Sequence, residues 1–325
     1  MTLSSYGAWA KPAVVAGVFF SWIYVSRNDQ ASYAPSWKSC VTVVATLSAA
    51  LVAALYKFQD NLLYQPRALP QHIKPSQNPP GFRSPADFNL SYEDVRLTTS
   101  DGIKLAAWMI RQPNSKSVPT LVFFHANAGN MGFRLPNIAQ IFRAVDVNIF
   151  ILSYRGYGDS EGSPNEAGLM IDADTVMKHI FHEREDIDPK KVFLFGRSLG
   201  GAVSIYVASK YDDKICGTIV ENTFTNISDM VDSVFPVLAP LKPYVLKIDW
   251  PSAKRIESIT HPLLLVSGRN DEIVPSSQMD KLFEAARNSK KKELYKILNG
   301  THNDTWIKGG DQYVMKIREF ISNHC

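Results

Sequence analysis

The sequence predicts an α/β fold with a mostly parallel central sheet, helices on both faces and a small helical cap. Beyond residue 120, short and mostly apolar runs alternate with segments of helical periodicity, which is the order of parallel crossover units. Polar segments containing glycine, serine or histidine fall directly after several of these runs, where strands end and loops begin. The predicted strands of this part are 121–124, 147–152, 192–195, 218–221, 263–266 and 293–298, and 166–182 is a predicted helix.

The first sixty residues differ in character from the rest of the chain. Residues 39–56 carry no charge and are rich in Ala, Val and Leu, which meets the length threshold for a membrane-spanning helix. A long buried helix of a globular domain is the alternative. Residues 12–25 form a shorter apolar run that fits a second span, a signal-type segment or an interfacial helix. We therefore predict an N-terminal membrane anchor at 1–60 and a globular domain at 61–325.

A hairpin opens the globular domain, and an irregular insertion interrupts its second half. Residues 92–97 and 105–110 are predicted strands, joined through a turn at Asp101-Gly102. Between residues 226 and 256 the alternation breaks into an apolar, proline-rich stretch, which we interpret as the helical cap; a packed surface insertion is the alternative. The apolar side chains expected to receive an acyl chain are Phe235, Leu238, Leu241 and Tyr244.

The strand at 192–195 runs into a Gly-x-Ser-x-Gly motif centred on Ser198, and a helix-like segment follows it. A nucleophilic serine needs this context: the turn is sharp, and glycines stand where side chains would clash. The helix behind the serine directs its free N–H groups at developing negative charge. Ser198 is therefore the candidate nucleophile.

Serine needs a base, and the base needs an orienting acid, which in this strand–turn–helix arrangement follow in the order Ser, Asp or Glu, His. His302 lies in the loop after the last predicted strand, so it is the candidate base. Asp271, in the loop after strand 263–266, is the favoured acid; its neighbour Glu272 is expected to point elsewhere. Glu221, at the end of the preceding strand, is the rival.

Two backbone N–H groups are needed to hold an oxyanion. The Leu199 N–H, directly after the serine, is the first candidate. The loop after strand 121–124 offers the second, with Asn127 preferred and Ala126 next. His125 is expected to brace this loop rather than to take part in chemistry.

Composition excludes several other classes of function. The chain has 325 residues, a formal charge of +4 and 45% hydrophobic residues, which fits one α/β domain with an added membrane segment. The sequence has no basic stripe with interleaved aromatic residues, which is the pattern that would predict binding of nucleic acid. The cysteines Cys40, Cys216 and Cys325 form no disulfide framework, and no Cys/His spacing predicts a metal or other cofactor.

Taken together, these motifs resemble the α/β-hydrolase superfamily, and within it the Bem-type membrane-anchored serine hydrolases. The resemblance covers nearly the whole chain from about residue 58. One departure is Ala126, where the family usually has glycine. The segments that carry the resemblance are 58–66, 153–162, 196–201, 221–225 and 300–306.

The resemblance implies a Ser198–His302–Asp271 triad that cleaves an ester or thioester, with acyl-protein thioesters and lipid esters as substrate classes. It also implies a location in an endomembrane, such as the endoplasmic reticulum, or in the plasma membrane, with the lipid bilayer as a partner. A peptidase or small-ester hydrolase with the same triad is one alternative. A non-catalytic membrane scaffold is the other.

Overall fold

The computed structural model describes residues 37–324. They belong to two units that divide between Ala53 and Ala54, inside the first helix. This helix, α1, runs over Trp37–Leu63 and therefore continues beyond the uncharged run. Among the described residues it is the one helix long and apolar enough to cross a membrane, with a mean hydropathy of 2.0. The predicted apolar run at 12–25 lies outside the described residues.

The second unit alternates strands and helices as the sequence predicts, and the helix at Glu166–His182 has the predicted bounds. The described strands are β1 (Tyr92–Thr98), β2 (Lys104–Ile110), β3 (Thr120–Phe124), β4 (Asn148–Leu152), β5 (Val192–Arg197), β6 (Gly217–Glu221), β7 (Leu263–Gly268) and β8 (Lys292–Ile297). The α-helices after α1 are α2 (Leu135–Ala144), α3 (Glu166–His182), α4 (Leu199–Lys210), α5 (Ile227–Val234), α6 (Lys242–Val245), α7 (Ser252–Ile256), α8 (Ser277–Ala285) and α9 (Thr305–Ser322). Short 3₁₀ helices lie at Pro75–Gln77, Pro85–Phe88, Met131–Arg134, Asp212–Lys214 and Pro236–Leu241.

The strands form one sheet in the order β1-β2-β4-β3-β5-β6-β7-β8. β1 pairs with β2, and β2 pairs with β4, in antiparallel orientation. All the remaining pairs, which join β4, β3, β5, β6, β7 and β8 in that order, are parallel. In the register of the centre, Arg197 at the end of β5 lies opposite Glu221 at the end of β6. The carboxyl ends of the parallel strands therefore meet at one edge, where the loops with the candidate site residues begin.

The sheet separates two apolar layers, because successive strand residues point to opposite faces. On β5, Leu194 joins the layer beneath α3, α4, α7 and α8. Phe193 and Phe195 join the layer beneath α2 and α9, where Phe195 stacks on Phe123 with ring centroids 4.5 Å apart. Helices thus cover both faces of the sheet. The loops at the carboxyl ends of the parallel strands remain accessible.

The predicted cap contains α5, the 3₁₀ helix at Pro236–Leu241 and α6. Its middle is exposed, whereas its last part returns to the core. Trp250 and Ile256 are fully buried, and the Trp250 indole N–H donates to the Tyr64 hydroxyl at 2.9 Å. The exposed part of the insertion therefore ends before Ile248, which is itself buried.

Candidate active site

Ser198 occupies the tight turn between β5 and α4. Its backbone lies at φ +53° and ψ −121°. Residues other than glycine rarely adopt this conformation, which costs roughly 1–3 kcal/mol of backbone strain. Two hydrogen bonds hold it there. The Ser198 N–H donates to the Glu221 carbonyl at 2.9 Å, and the Thr223 hydroxyl donates to the Ser198 carbonyl at 2.7 Å. The neighbouring strand thus imposes the strained turn that presents the serine hydroxyl.

The glycines of the motif allow the backbone to pack closely behind the serine. A Cβ atom on Gly200 would lie 2.0 Å from the Phe124 carbonyl oxygen, and one on Gly196 would lie 2.1 Å from the Gly200 carbonyl oxygen. These neighbours are backbone atoms that cannot move aside. Alanine at either position would therefore push α4 away from β3 and β5 and displace the turn.

His302 and Asp271 extend a hydrogen-bonded chain from the serine. His302 Nε2 lies 3.0 Å from Ser198 Oγ, and His302 Nδ1 lies 2.8 Å from Asp271 Oδ2. The second Asp271 oxygen accepts from the N–H groups of Ile273 and Val274 at 2.9 and 2.7 Å. These bonds hold the carboxylate facing the imidazole, and an imidazole so placed can take a serine proton.

Glu221, the rival acid, is engaged elsewhere. Its fully buried carboxylate pairs with Arg197 at 2.8 Å, from Oε1 to Nε, and accepts from the Tyr313 hydroxyl at 2.7 Å. Burial alone lowers the pKa of Arg197, but Glu221 and Tyr313 outweigh it and the pKa is raised. Glu221 therefore neutralises Arg197, the residue before the serine in the Gly-x-Ser-x-Gly motif, and it is Asp271 that contacts the His302 imidazole.

Asn222 lies in the segment 221–225, but the sequence analysis assigned it no role; in the structure it joins the loops of the candidate acid and base. Its side-chain amide donates to the carbonyls of Thr301 and His302 at 3.1 and 3.2 Å and to the Thr305 hydroxyl at 2.9 Å. Its carbonyl oxygen accepts from the Gly268 N–H at 2.8 Å. The residue is buried at φ +48°, a conformation that asparagine tolerates better than most residues. The sequence signal that could have indicated this role is an asparagine placed directly after the end of a predicted strand.

Glu272, the neighbour of Asp271, contacts the main chain of the candidate base and not its imidazole. Its carboxylate accepts from the backbone N–H of His302 at 3.1 Å. The acid loop thus contacts the base loop through two adjacent carboxylates, Asp271 at the imidazole and Glu272 at the main chain. This second contact further restricts the position of the imidazole.

The candidate oxyanion donors lie in two places, directly after Ser198 at Leu199 and in the loop after β3. In the part of the chain that the structure describes, the backbone N–H groups of Leu199, Ala126 and Asn127 have no hydrogen-bond partner. The Asn127 side chain, in contrast, is fully used. It donates to the Leu63 carbonyl at 2.6 Å and accepts from the Gln65 N–H and the Tyr157 hydroxyl at 3.1 and 2.7 Å. Its loop is therefore fixed to the chain that leaves α1.

Comparison with known proteins gives several relatives that match most of the chain. A family model described as serine aminopeptidase, S33, matches residues 115–250. Protein bem46 of Schizosaccharomyces pombe is 41% identical over 285 residues, which cover 86% of this chain and 92% of that protein. The α/β hydrolase domain-containing protein WAV2 of Arabidopsis thaliana is 36% identical, covering 84% and 91%. An uncharacterized membrane protein of Saccharomyces cerevisiae, YNL320W, is 39% identical, covering 86% and 94%.

This chain is a Bem46-type α/β hydrolase. Solved structures agree on the fold of this Bem46-type protein. The Pyrococcus furiosus esterase Pf2001 superimposes with a TM-score of 0.61 over 74% of this chain and 95% of that chain, at 19% identity. The predicted α/β-hydrolase fold is therefore confirmed, and esterases are among the structural neighbours.

His125 packs behind the candidate oxyanion loop of this Bem46-type hydrolase. Its ring is fully buried between Tyr154 and Tyr157, with centroids 4.3 and 5.5 Å away, and its Nδ1 lies 2.7 Å from the Ala126 carbonyl oxygen. Burial and the Arg134 charge lower its pKa to about 3. A neutral imidazole is thus part of the packing behind the loop.

Ala126, the departure from the family pattern, fits its position. The residue is buried but does not have a positive φ, so its methyl group requires no strained backbone.

Among residues 37–324, no cluster of three or more His, Cys, Asp or Glu side chains is placed to hold a metal ion.

Proposed function

We propose that this protein is a membrane-anchored serine hydrolase that cleaves carboxylic esters or thioesters with Ser198, His302 and Asp271. The observation that carries the proposal is the continuous hydrogen-bonded chain from Asp271 Oδ2 through the His302 imidazole to Ser198 Oγ. Its outer end is a serine in a strained strand–helix turn. Such strain is found mainly where function requires it.

In the proposed reaction, Ser198 Oγ attacks the carbonyl carbon while His302 Nε2 takes its proton. The carbonyl oxygen becomes an oxyanion, which the N–H groups of Leu199 and Asn127 stabilise. When the intermediate collapses, His302 returns the proton to the departing alcohol or thiol, and the acyl group remains on Ser198. His302 then deprotonates a water molecule that attacks the acyl-enzyme, and it reprotonates Ser198 as the carboxylic acid leaves. Asp271 stabilises the imidazolium throughout.

The acyl group of a lipid or of an acylated membrane protein is the substrate class that best fits a membrane-anchored enzyme. The apolar helix α1 and the relative described as a membrane protein support the anchor. Alkaline carbonate extraction of membranes containing the full-length chain tests it. An integrated protein stays in the pellet, whereas recovery in the supernatant contradicts a membrane span.

A fluorophosphonate probe tests the nucleophile, because it reacts with activated serines whatever the natural substrate. Labelling of the wild type and its loss in Ser198→Ala are expected. Ser204→Ala, on the helix that follows Ser198 and fully buried, is the matched control and should label normally. An unlabelled wild type would favour the scaffold alternative, and a labelled Ser198→Ala would place the nucleophile at another serine.

A peptidase is the second candidate, because the matching family model is described as a serine aminopeptidase. The same triad can attack an amide, so the leaving group decides between the two activities. Turnover of acyl thioesters and p-nitrophenyl esters should exceed turnover of aminoacyl p-nitroanilides. The reverse order would make the protein a peptidase.

A further inference from the structure

The cap carries a group of large apolar side chains in contact with solvent. These side chains, which we call the cap face, are Val234, Phe235, Val237 and Tyr244, with 43, 46, 87 and 75% of their surface exposed. Single exposed apolar residues are ordinary, but a cluster of them marks an interaction surface. We propose that the cap face inserts into the lipid interface beside the point where α1 leaves the bilayer. This inference rests on the proposed membrane anchor and deepens the proposed function.

The first support is a direct link between the cap and the end of α1. The buried Gln59 side chain donates to the carbonyls of Tyr56 and Val245, each at 2.9 Å. It accepts from the N–H groups of Lys247 and Ile248 at 2.7 and 3.1 Å. All four hydrogen-bonding positions of the amide are therefore used. The segment that follows Tyr244 is thus held rigidly against the helix.

The second support is the depth of this link along α1. Gln59 lies three residues beyond Tyr56, the last residue of the uncharged run, and three helical residues span about 4.5 Å. The polar interface of a bilayer is several ångströms thick on each side of the hydrocarbon. If the uncharged run spans the hydrocarbon, Gln59 and its partners lie within the headgroup layer. Tyr244 immediately precedes Val245, so the cap face begins at the same depth.

The third support is the kind of side chain found at this level. Lys247 lies over the Tyr56 ring, 4.6 Å from its centroid, and both Lys247 and Lys57 are exposed. Tyrosine and lysine are typical of membrane interfaces, where the ring packs at headgroup level and the ammonium group reaches anionic phosphates. Exposed Phe58 and Leu62 continue the apolar surface on the helix itself. The neighbourhood of the cap face therefore matches an anionic lipid surface.

The cap also connects the lipid to the candidate site. It begins at α5, only a few residues after Thr223, whose hydroxyl donates to the Ser198 carbonyl. The Thr225 hydroxyl contacts both Asp229 in α5 and Gln278 at 2.6 and 3.0 Å. The cap thus begins close in sequence to the contacts that hold the Ser198 turn. If the cap face lies in the lipid interface, the substrates that fit the proposal are those whose acyl chains reside in the membrane.

The test uses the full-length protein in vesicles of phosphatidylcholine and phosphatidylserine, with an environment-sensitive fluorophore on one introduced cysteine. Cys40, Cys216 and Cys325 are replaced by serine in all variants. Val237→Cys and Tyr244→Cys place the probe on the cap face. Met315→Cys, 64% exposed on α9 beneath the other face of the sheet, is the matched control. Using two cap-face sites guards against a variant that does not fold.

Nitroxide lipids should quench both cap-face probes at least about twice as strongly as the Met315→Cys probe, because only inserted groups meet lipid-borne quenchers. Aqueous iodide should show the opposite preference. Equal lipid quenching at the three sites, or full quenching of the cap-face probes by iodide, overturns the proposal. The cap face would then be an interaction surface for a protein partner. The measurement needs no turnover, so even an inactive protein shows whether the cap face inserts, whereas fluorophosphonate labelling tests the hydrolase proposal separately.

Discussion

The Asn127 side-chain amide donates a hydrogen bond to the carbonyl of Leu63, the last residue of α1, at 2.6 Å. These residues lie 64 positions apart in the chain. The bond joins the loop that offers the second oxyanion donor to the end of the apolar helix. The helix terminus is therefore part of the framework of the candidate site, in addition to its proposed role as an anchor.

We expect Asn127→Asp to reduce the rate of fluorophosphonate labelling by about tenfold or more. The backbone N–H proposed as the oxyanion donor remains, but a displaced loop moves it, and full loss of such a donor typically costs a hundredfold or more. The substitution preserves shape but removes the donor to Leu63 and sets a carboxylate oxygen against its carbonyl. The second-order rate of probe labelling measures the effect. Tyr157→Phe, which removes only one bond to Asn127, should lower the rate less; equal losses would contradict the special role of the Leu63 contact.

Asp271→Asn and Glu221→Gln should fail in different ways. The first should lower the labelling rate by roughly a thousandfold or more at nearly unchanged stability, because asparagine favours the wrong imidazole tautomer. The second leaves the Arg197 charge buried without its partner and should destabilise the fold by about 3–5 kcal/mol. Labelling kinetics and denaturant unfolding separate the two effects. A greater loss of labelling in folded Glu221→Gln would make Glu221 the acid.

Asn222→Asp tests whether one amide positions both loops. Aspartate can still accept from the Gly268 N–H, but it cannot donate to the carbonyls of Thr301 and His302. We expect labelling to slow by about tenfold and the melting temperature to fall, since buried carbonyls lose their donors. In the control Asn226→Asp, the side chain only accepts, from the Asp229 N–H, so both quantities should be retained. Unchanged labelling in Asn222→Asp would remove the proposed positioning role.

His125 predicts a pH dependence of stability. Its pKa in the folded protein, about 3, is below the ordinary value of 6.5, so the unfolded chain binds a proton more readily between these values. The contribution of neutral His125 to the free energy of unfolding is fully present above pH 6.5. It is lost as pH falls towards 3, at up to about 1.4 kcal/mol per pH unit. Between pH 7.5 and 5, the melting temperature should therefore fall less steeply for His125→Gln than for the wild type. Parallel curves would contradict the assignment.

The sequence predicted those features that depend on local patterns. Mostly apolar runs identified the central strands β3 to β7, and the order of motifs along the chain singled out Ser198, Asp271 and His302. The structure brings these three side chains within hydrogen-bonding distance, while their roles in catalysis remain predictions. Chain order sufficed here because parallel strands bring their carboxyl ends to one edge.

Contacts between distant polar side chains could not be predicted in this way. Gln59 bonds Val245 across 186 positions, and Asn222 bonds Thr301 across 79, and nothing near either residue indicates its partner. The end of α1 was missed for a related reason. The uncharged run ends at Tyr56, whereas the helix continues to Leu63, where the bonds made by Gln59 and Asn127 hold its last residues in place.

The strained turn at Ser198 bears on the choice between a hydrolase and a scaffold. Glycine would occupy φ +53° without penalty, so Ser198→Gly should relieve the backbone strain while it removes the hydroxyl. The serine therefore adds a strain that a protein acting only as a scaffold does not require. The proposed nucleophilic role supplies a physical reason for that strain.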